Sequence, residues 1–471
     1  MKIGEKTTIK ILPKLDVLLA QACRLRELGR LQEAKMAFVA ILQTDPNHVS
    51  TLFYYAGLQN QLHRAGDAAA IYERIITLQP RNIDAHLKLS DLQFTHHKIA
   101  EARRHIEAAL EIDPNCTEAH RGMGIILSEL REFDAALEHT KKAFGGRSWS
   151  KLPYRGLGKP LNVLVLYATT VGNSPLAHVI NDTIFQHISL IPEFHNPVVS
   201  LPPHQVVWNA IGDADLCPSQ LRLAADLLKK NRTLVINPPD VISRTGRTEN
   251  ARRLSGIEGL VIPKIVELPR EALLDPQAPE RLQQSGFQFP CLLRAQGFQG
   301  GKHFVKLDSA QQLKAALATM PGDDFMVLQY LDARNADGAT RKYRVIFIDG
   351  QLYPLHVAIS TNWKIHYFSA DMGDNPQHRA EDEAFLLDMP KVLGPKIMAT
   401  LENVQARLGL DFGGIDFSVG ADGKVLFFEA NATMNIPTPD QEEKWNYRRA
   451  PVQKLFDAVT SMLRARIGAS T

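Results

Sequence analysis

A period of 34 residues in the first third of the chain constrains the fold more than any other feature. Alanine recurs at this spacing at Ala34, Ala68, Ala102 and Ala136. Because small residues let paired helices approach closely and proline ends a helix, this recurrence predicts a stack of helix pairs. The other positions that keep the period are Ala22, Ala56, Ser90 and Gly124, then Pro46, Pro80 and Pro114, and the bulky Phe38, Tyr72 and Ile106.

The pattern resembles the tetratricopeptide repeat, and four such units are predicted within residues 1–147. The fourth unit lacks the closing proline and has Gly145-Gly146 as its helix stop. Stacked helix pairs of this kind form a concave surface that holds an extended segment or a partner protein. The resemblance therefore implies a protein or peptide partner. The alternative is a scaffold that only stabilises the rest of the chain or makes a homo-oligomer.

The middle of the chain predicts a linker followed by a small α/β domain. Residues 148–160 combine proline, glycine and charge without periodicity, which is typical of a linker. In the predicted domain, residues 161–262, an apolar run at 161–167 indicates a central strand of a parallel sheet. Residues 179–190 are predicted to be helical and 233–237 to form a second buried strand. Neither strand leads into a G-x-G-x-x-G or Walker A sequence, so dinucleotide binding is not expected.

A β-hairpin near the C-terminus carries candidate metal ligands. Two runs of strand-forming residues flank the turn Gly-Ala-Asp-Gly at residues 420–423. With the two central residues of that turn as the loop, Asp416 is predicted to lie opposite Phe427. Side chains two apart on a strand share a face, so Asp416, Glu429 and Asn431 should point to the same side. Two carboxylates and an amide oxygen are hard ligands that suit Mg²⁺ bridged to phosphates, although an ordinary polar hairpin face is an equally plain interpretation.

Residues 263–471 resemble the ATP-grasp superfamily, and within it the ligases that add amino acids to peptide ends. The D-x(12)-E-x-N spacing of the hairpin is similar to the metal-binding strand pair of that family. Upstream, a strand and glycine-rich loop at 289–302, a hinge at 326–332 and a strand at 342–350 follow in the family's order. The resemblance implies a multidomain chain: an all-α tetratricopeptide solenoid, then an α/β pre-ATP-grasp domain and an α+β ATP-grasp fold.

The same resemblance implies roles for individual residues. Arg344 is expected to stabilise charge on the transferred phosphoryl group, and Asp416, Glu429 and Asn431 to hold Mg²⁺, with Mn²⁺ as an alternative. The residues implied to bind ATP are Arg294, Gly297, Gly300, Gly301, Lys302, Gln329, Tyr330, Leu331 and Asp332.

Two phosphate-binding lysines of the family are replaced by arginine here. One family position falls at Arg294, and the other lies in a segment that has four arginines and no lysine. Arginine keeps the positive charge and can grip phosphate through two hydrogen bonds. A third departure lies just after the strand 342–350. Relatives carry basic substrate-binding residues there, whereas this chain has two histidines and a lysine. The difference predicts a different substrate. The residues concerned are Arg244, Arg247, Arg252 and Arg253 in the first segment, and His356, Lys364 and His366 in the second.

The predicted function is an ATP- and Mg²⁺-dependent ligase that activates a carboxylate as an acylphosphate for attack by an amine. The repeats would recruit a protein or peptide substrate. Two alternatives stay open, namely a non-catalytic ATP-binding scaffold and a kinase-like phosphotransferase on the same fold.

Composition limits the partners and the compartment. The formal net charge of the 471 residues is +3, which gives no reason to expect nucleic acid or an anionic membrane as a partner. Four scattered cysteines indicate neither a disulfide framework nor a zinc site. No apolar run approaches the length of a membrane span, so a cytoplasmic protein is expected.

Overall fold

The chain forms two compact units, with the boundary between Arg147 and Ser148. The computed structural model describes residues 12–469 except 63, 97, 131, 146, 170, 299–300, 366, 368–369 and 441.

The first unit consists of antiparallel helix pairs, as the repeat predicts. Its helices in the described residues are α1 Leu12–Glu27, α2 Leu31–Thr44, α3 Val49–Gln61, α4 Ala65–Leu78, α5 Ile83–Thr95, α6 Ile99–Ile112, α7 Thr117–Glu129 and α8 Phe133–Ala143. Each odd-numbered helix packs on the even-numbered helix that follows it.

Proline ends the second helix of each of the first three pairs. The residue before proline is non-helical in each case; Asp45, for example, has φ −134° and ψ 95°. The proline ring disfavours helical backbone in the residue before it, which is why α2, α4 and α6 stop at the same register. The last pair instead ends at Gly145, which has a φ of 56°.

Small residues lie where paired helices touch. Ala34, Ala68 and Ala102 have no exposed surface, and Phe38, one turn after Ala34 on α2, is also fully buried. At Gly124 an added Cβ would lie 2.6 Å from Oγ1 of Thr140 on the facing helix. The close approach of the helices therefore requires the small residues of the 34-residue period.

Two histidine pairs follow the same period. Nδ1 of His86 lies 3.1 Å from Nδ1 of His105, and Nδ1 of His120 lies 3.0 Å from Nδ1 of His139. Burial lowers the pKa of His105 and His139, and the neighbouring histidine of each pair lowers it further. Both pairs join the two helices of one repeat, so their protonation state affects helix packing.

The second unit is a mixed α/β structure. Its strands in the described residues are β1 Trp149–Lys151, β2 Leu161–Leu166, β3 Phe185–Leu190, β4 Val206–Asn209, β5 Val235–Ile236, β6 Leu260–Val261, β7 Ile265–Pro269, β8 Cys291–Ala295, β9 Phe304–Leu307, β10 Asp324–Gln329, β11 Thr340–Ile348, β12 Gln351–Ser360, β13 Phe412–Val419 and β14 Val425–Asn431. Its α-helices are α9 Pro218–Leu228, α10 Pro239–Ile242, α11 Arg247–Leu254, α12 Arg270–Leu274, α13 Ala278–Gln284, α14 Gln311–Thr319, α15 Pro376–Leu387, α16 Met389–Leu408 and α17 Arg449–Gly468, and 3-10 turns span Pro192–Phe194 and Glu443–Arg448.

The strands form three sheets. The order is β1-β3-β2-β4-β5 in the first, β7-β10-β8-β9 in the second and β12-β11-β13-β14-β6 in the third. The predicted strand at 161–167 is confirmed as β2, which pairs in parallel with both β3 and β4. The second and third sheets carry most of the candidate site residues.

The middle of the chain departs from the predicted elements in two places. The proposed linker contains β1, which pairs antiparallel with β3; an edge strand of three residues is too short to show a hydrophobic period. The proposed helix at 179–190 is a turn followed by β3. The side chain of Asn181 accepts a hydrogen bond from the main chain of Thr183, and this local turn competes with helix formation.

The core of the second unit continues across residue 262, where the sequence predicts a domain boundary. One buried cluster contains Leu164 of β2 and Val207 of β4 together with Ile415 and Phe417 of β13. In addition, β6 pairs with β14 of the third sheet. Residues on both sides of the predicted boundary thus share one core.

Among the described residues, no helix combines the length and the apolar composition that crossing a membrane requires.

The histidine pairs predict a pH-dependent stability of the repeats. Because folding lowers the pKa of these histidines, the unfolded chain binds protons at a higher pH than the folded chain does. The free energy of unfolding is therefore highest above about pH 6.5 and decreases as the pH falls. We expect the melting temperature of the full chain, followed by circular dichroism between pH 5 and 8, to fall less steeply on acidification in the variant His105→Gln/His139→Gln. The exposed His96 provides the control, since His96→Gln should keep the original slope. Equal slopes in the double variant and the unaltered chain would contradict the assignment.

Candidate functional site

A cavity of about 150 Å³ in the second unit brings together residues of the second and third sheets. The second sheet contributes Arg294 from β8 and Gln329 from the end of β10. The third sheet contributes Lys342 from β11, Asp416 from β13 and Glu429 from β14. The cavity has an apolar part and a charged part, and the charged part holds two carboxylates.

Asp416 and Glu429 lie directly opposite each other on β13 and β14. The prediction that Asp416 faces Phe427 is wrong, because the turn is one residue longer than assumed and a bulge follows Asp416. Gly423, with a φ of 76°, closes the longer turn. The longer turn and the bulge each shift the pairing register of β13 and β14 by one residue. A total shift of two residues keeps Asp416 and Glu429 on the same face of the sheet.

Asp416 is held by two basic side chains of β11. Nε of Arg344 donates to its Oδ1 at 2.6 Å, and Nη2 of Arg344 donates to its Oδ2 at 2.7 Å. Nζ of Lys342 lies 2.7 Å from the same Oδ2. Burial by itself would raise the pKa of Asp416, but the two cations bring it well below its usual range. Asp416 is therefore a permanent anion at neutral pH.

Glu429 is bound from a different direction. Nη2 of Arg247, at the start of α11, lies 2.6 Å from its Oε1, and Nδ2 of Asn431 donates to the same oxygen at 2.7 Å. Oδ1 of Asn431 accepts two hydrogen bonds from Thr433. Burial by itself would raise the pKa of Glu429, but the nearby cations, Arg247 and Arg294 foremost, bring it below its usual range.

Basic side chains outnumber acidic ones around the cavity. Arg247, Arg294, Lys342 and Lys364 line it, against Asp416 and Glu429. Burial and the nearby Arg247 lower the pKa of Arg294 to about 10, so it remains charged at neutral pH. Burial and then Arg294 lower the pKa of Lys364, whose ammonium group donates to the main-chain oxygen of Gly301. A cavity with this surplus of positive charge favours an anionic ligand.

The other part of the cavity is apolar and has an open main-chain edge. The segment Tyr330–Leu331 follows β10 along one wall. In the part of the chain that the structure describes, the main-chain N–H and C=O groups of these two residues make no hydrogen bond. The remaining apolar wall consists of Pro263, Leu292, Phe304, Leu328, Ala333, Trp363, Ile365, Phe427 and Phe428. A flat heteroaromatic ring with donors and acceptors on its edge fits such a slot.

Most of the predicted site residues meet at this cavity. Those that line it are Arg294, Gly301, Gln329, Tyr330, Leu331, Asp416 and Glu429. Those that do not are Gly297, Lys302, Asp332, Arg344 and Asn431. Gly300 lies outside the described residues.

Residues away from the cavity have other partners. Asp332 accepts a hydrogen bond from Nε of Arg334 at 2.9 Å, and Arg344 reaches the cavity only through Asp416. Asn431 lines a smaller neighbouring cavity. Arg344 and Asn431 thus orient the two carboxylates that face the larger cavity.

The three basic residues that were predicted to influence the choice of substrate do not all lie at the cavity. Lys364 lines the cavity, His356 does not, and His366 lies outside the described residues. His356 is buried on β12 opposite Arg344, and burial together with Arg344 sets its pKa well below the usual range. His356 is therefore a neutral group next to the ion pair.

Sequence reasoning missed Lys342 and did not single out Arg247. Lys342 and Arg344 are two apart on one strand and share a face, which was a readable indication of a charged site. Of the four arginines noted between residues 244 and 253, only Arg247 lines the cavity among the described residues. Arg252 is exposed and pairs with Glu249.

The family models that match the chain lie within the first unit. Two tetratricopeptide-repeat models match residues 19–83 and 61–126. Among solved structures, MamA is similar to this chain with 21% sequence identity. The match covers 26% of this chain and 72% of that chain, with a TM-score of 0.25. MamA from Desulfovibrio magneticus has 19% sequence identity, and the match covers 28% of this chain and 74% of that chain, with a TM-score of 0.26.

A thermophilic tetratricopeptide-repeat protein of Thermus thermophilus is 20% identical, covering 28% of this chain and 73% of that chain, with a TM-score of 0.26. No curated protein matches the chain. Residues 19–126 are tetratricopeptide repeats, a module typical of protein interaction, followed by a mixed α/β unit.

Proposed function

We propose that the second unit is an ATP-dependent ligase of the ATP-grasp type, which joins a carboxylate to an amine through an acylphosphate. One observation carries the proposal. A single cavity combines an apolar slot, an open main-chain edge and four basic side chains beside two opposed carboxylates. ATP needs these parts together, because its base is flat and apolar whereas its triphosphate is strongly anionic.

The apolar part suits adenine. The free main-chain groups of Tyr330 and Leu331 offer a donor and acceptors to the edge of the ring. Leu328 and Phe427 supply apolar surface for its faces. Burial of a planar ring in such a slot is favourable, and the main-chain hydrogen bonds give it one orientation.

The charged part suits phosphates. Arg294 is buried, and its guanidinium group remains protonated, so it can form charge-assisted hydrogen bonds to phosphate oxygens. Lys364 donates to Gly301, which links a basic side chain to the glycine-rich loop. Lys342 and Arg247 complete the positive lining.

Asp416 and Glu429 fit a hard divalent cation in the chemistry of their oxygens. Among the described residues, no group of three or more histidine, cysteine or carboxylate side chains is arranged to hold a metal. Mg²⁺ is usually held by one or two carboxylates together with substrate phosphates, so a pair of carboxylates is sufficient. A bound Mg²⁺ would neutralise charge on the phosphates. Here Asp416 and Glu429 would hold it. Arg344 and Lys342 pair with the first carboxylate and Arg247 with the second.

The chemistry proceeds in two steps. An oxygen of the substrate carboxylate forms a bond to the γ-phosphorus of ATP as the bond to ADP breaks, and this gives an acylphosphate. The amine nitrogen then attacks the acyl carbon, phosphate leaves with the electron pair of the broken C–O bond, and the amine loses a proton. Arg294 and Lys342 stabilise the charge of the phosphoryl group in the first step.

The tetratricopeptide repeats are proposed to recruit a protein or peptide that carries the substrate carboxylate. A second contact raises the effective concentration of a tethered group to the millimolar range for short tethers. A ligase for two small molecules has no need of a concave helical surface, whereas a ligase for a protein or peptide terminus gains from it.

Removal of the buried phosphate-binding arginine should weaken nucleotide binding. We expect Arg294→Gln to raise the dissociation constant of Mg²⁺-ATP, measured by calorimetry, roughly 10- to 150-fold, since a charge-assisted hydrogen bond contributes about 1.5–3 kcal/mol. Arg252→Gln is the matched control, because Arg252 is exposed and its partner is Glu249. An unchanged affinity in a folded Arg294 variant would argue against phosphates in this cavity.

Loss of the repeats should weaken recognition of the substrate and leave the affinity for ATP unchanged. We expect a chain that starts at residue 148 to bind ATP with unchanged affinity, and to need a much higher concentration of dialysed cell extract, supplemented with free amino acids, for the same rate of ADP release. Circular dichroism establishes that the shortened chain is folded. An equal requirement in both chains would mean that the repeats serve assembly or location. ADP release without any need for an amine would favour a phosphotransferase, and no ADP release would favour an ATP-binding scaffold.

A further inference from the structure

Four arginines at the ends of two helices form a basic surface outside the larger cavity. Arg244 precedes α11, Arg252 and Arg253 lie in its last turn, and Arg407 lies in the last turn of α16. Arg244, Arg252 and Arg407 are exposed, and Arg253 is half-buried. These four residues, the arginine patch, do not line the cavity, in contrast to Arg247 at the start of α11.

Main-chain carbonyl groups hold two of these arginines in place. Nη1 of Arg253 donates to the main-chain oxygen of Arg244 at 2.9 Å, and its Nη2 donates to that of Arg407 at 2.5 Å. In return, Nη1 of Arg407 donates to the main-chain oxygen of Arg253 at 2.9 Å. Because a carbonyl group has no net charge, these hydrogen bonds orient the guanidinium groups and leave their positive charge uncompensated. The patch is therefore ordered before any anion binds.

A single carboxylate lies within the patch. Arg252 pairs with Glu249, one turn before it, at 2.6 Å. In the part of the chain that the structure describes, the other three arginines form no ion pair. The hydrogen bond from Arg252, and then the charges of Arg253 and Arg244, lower the pKa of Glu249, so three guanidinium groups are close to this carboxylate. Four positive charges against one negative charge favour a partner with several negative charges.

The residue type and the size of the patch favour a polypeptide as that partner. A guanidinium group is a planar fork that binds a carboxylate through two parallel hydrogen bonds. Proteins that bind nucleic acid through its backbone commonly contact about 6–10 phosphates, which is more than four arginines provide. An extended polypeptide places a side chain about every 3.3 Å, so a short run of aspartate or glutamate matches the patch in charge.

Helix α11 connects the patch to the larger cavity. Its first residue, Arg247, lines the cavity and pairs with Glu429, whereas Arg252 and Arg253 lie in its last turn. A helix of eight residues is about 12 Å long. An extended chain covers this distance in about four residues. A segment bound to the patch therefore has its neighbouring residues within reach of the cavity.

We propose that the arginine patch binds an acidic segment, rich in aspartate or glutamate, of a protein partner and holds it within reach of the larger cavity. The proposal rests on the proposed function in one respect, since the partner is the protein that carries the substrate carboxylate. Binding of the segment itself requires neither ATP nor catalysis. The patch adds a contact in the second unit to the one proposed for the repeats, and two contacts raise the effective concentration of the substrate group.

Fluorescence anisotropy of fluorescein-labelled deca-glutamate with the full chain tests this assignment. At low ionic strength we expect Arg244→Gln/Arg252→Gln to raise the dissociation constant about tenfold, because two of the four cations are lost. Both side chains are exposed, and neither forms a hydrogen bond to another helix among the described residues, so the fold is retained. The control is Lys314→Gln/Arg464→Gln, which removes two exposed charges from α14 and α17 and should leave the dissociation constant unchanged.

A variant with the opposite effect separates binding from a structural role. Glu249→Gln removes the carboxylate from the patch and should lower the dissociation constant several-fold, since the repulsion of the probe is lost. A patch that only joins α11 to α16 would show no such gain. An unchanged or raised dissociation constant in this variant contradicts the proposal.

Further outcomes distinguish the patch from the cavity. Excess Mg²⁺-ATP should leave the probe bound, because the two sites are separate. Displacement of the probe by Mg²⁺-ATP, equal dissociation constants in the two double variants, or tighter binding of a deoxythymidine ten-mer than of deca-glutamate would each overturn the proposal. A chain that binds deca-glutamate through these arginines but binds no ATP would keep the patch and lose the proposed function. A chain that binds ATP but no deca-glutamate would lose the patch alone.

Discussion

The ion pairs of Asp416 with Arg344 and Lys342 are the interaction on which the second unit's site depends. Arg344 and Asp416 are direct cross-strand partners of β11 and β13, so the bidentate contact fixes both register and charge. Loss of one member of a buried pair leaves an uncompensated charge and typically costs about 3–5 kcal/mol. Because Asp416 also lies opposite Glu429 on β14, the same contact sets the spacing of the two carboxylates.

A second ion pair organises the space around those carboxylates. Arg247 comes from the start of α11 and reaches Glu429 at 2.6 Å. On one side of this pair lie Arg294, Lys342 and Lys364, and on the other lie Asp213 and Asp215. Two cavities of opposite charge that share one wall can hold an anion and a cation next to each other.

The sequence was most informative where a local pattern repeats. The helix pairs were predictable because a period of 34 residues shows each contact several times over. The shared face of Asp416 and Glu429 was predicted, but their register was not, because a bulge has no sequence pattern of its own. The partners of the carboxylates were hardest to foresee. Arg247 precedes Glu429 by 182 residues, so their contact exists only through the packing of α11 against the third sheet.

The proposed nucleotide site is tested best by locating ATP bound to the full chain. Photolabelling with 8-azido-ATP, followed by peptide mapping, shows which segment contacts the base. If adenine lies beside Tyr330 and Leu331, the label falls within residues 326–333 and excess Mg²⁺-ATP abolishes it. A label confined to residues 12–145, or a label that excess ATP does not displace, would contradict it.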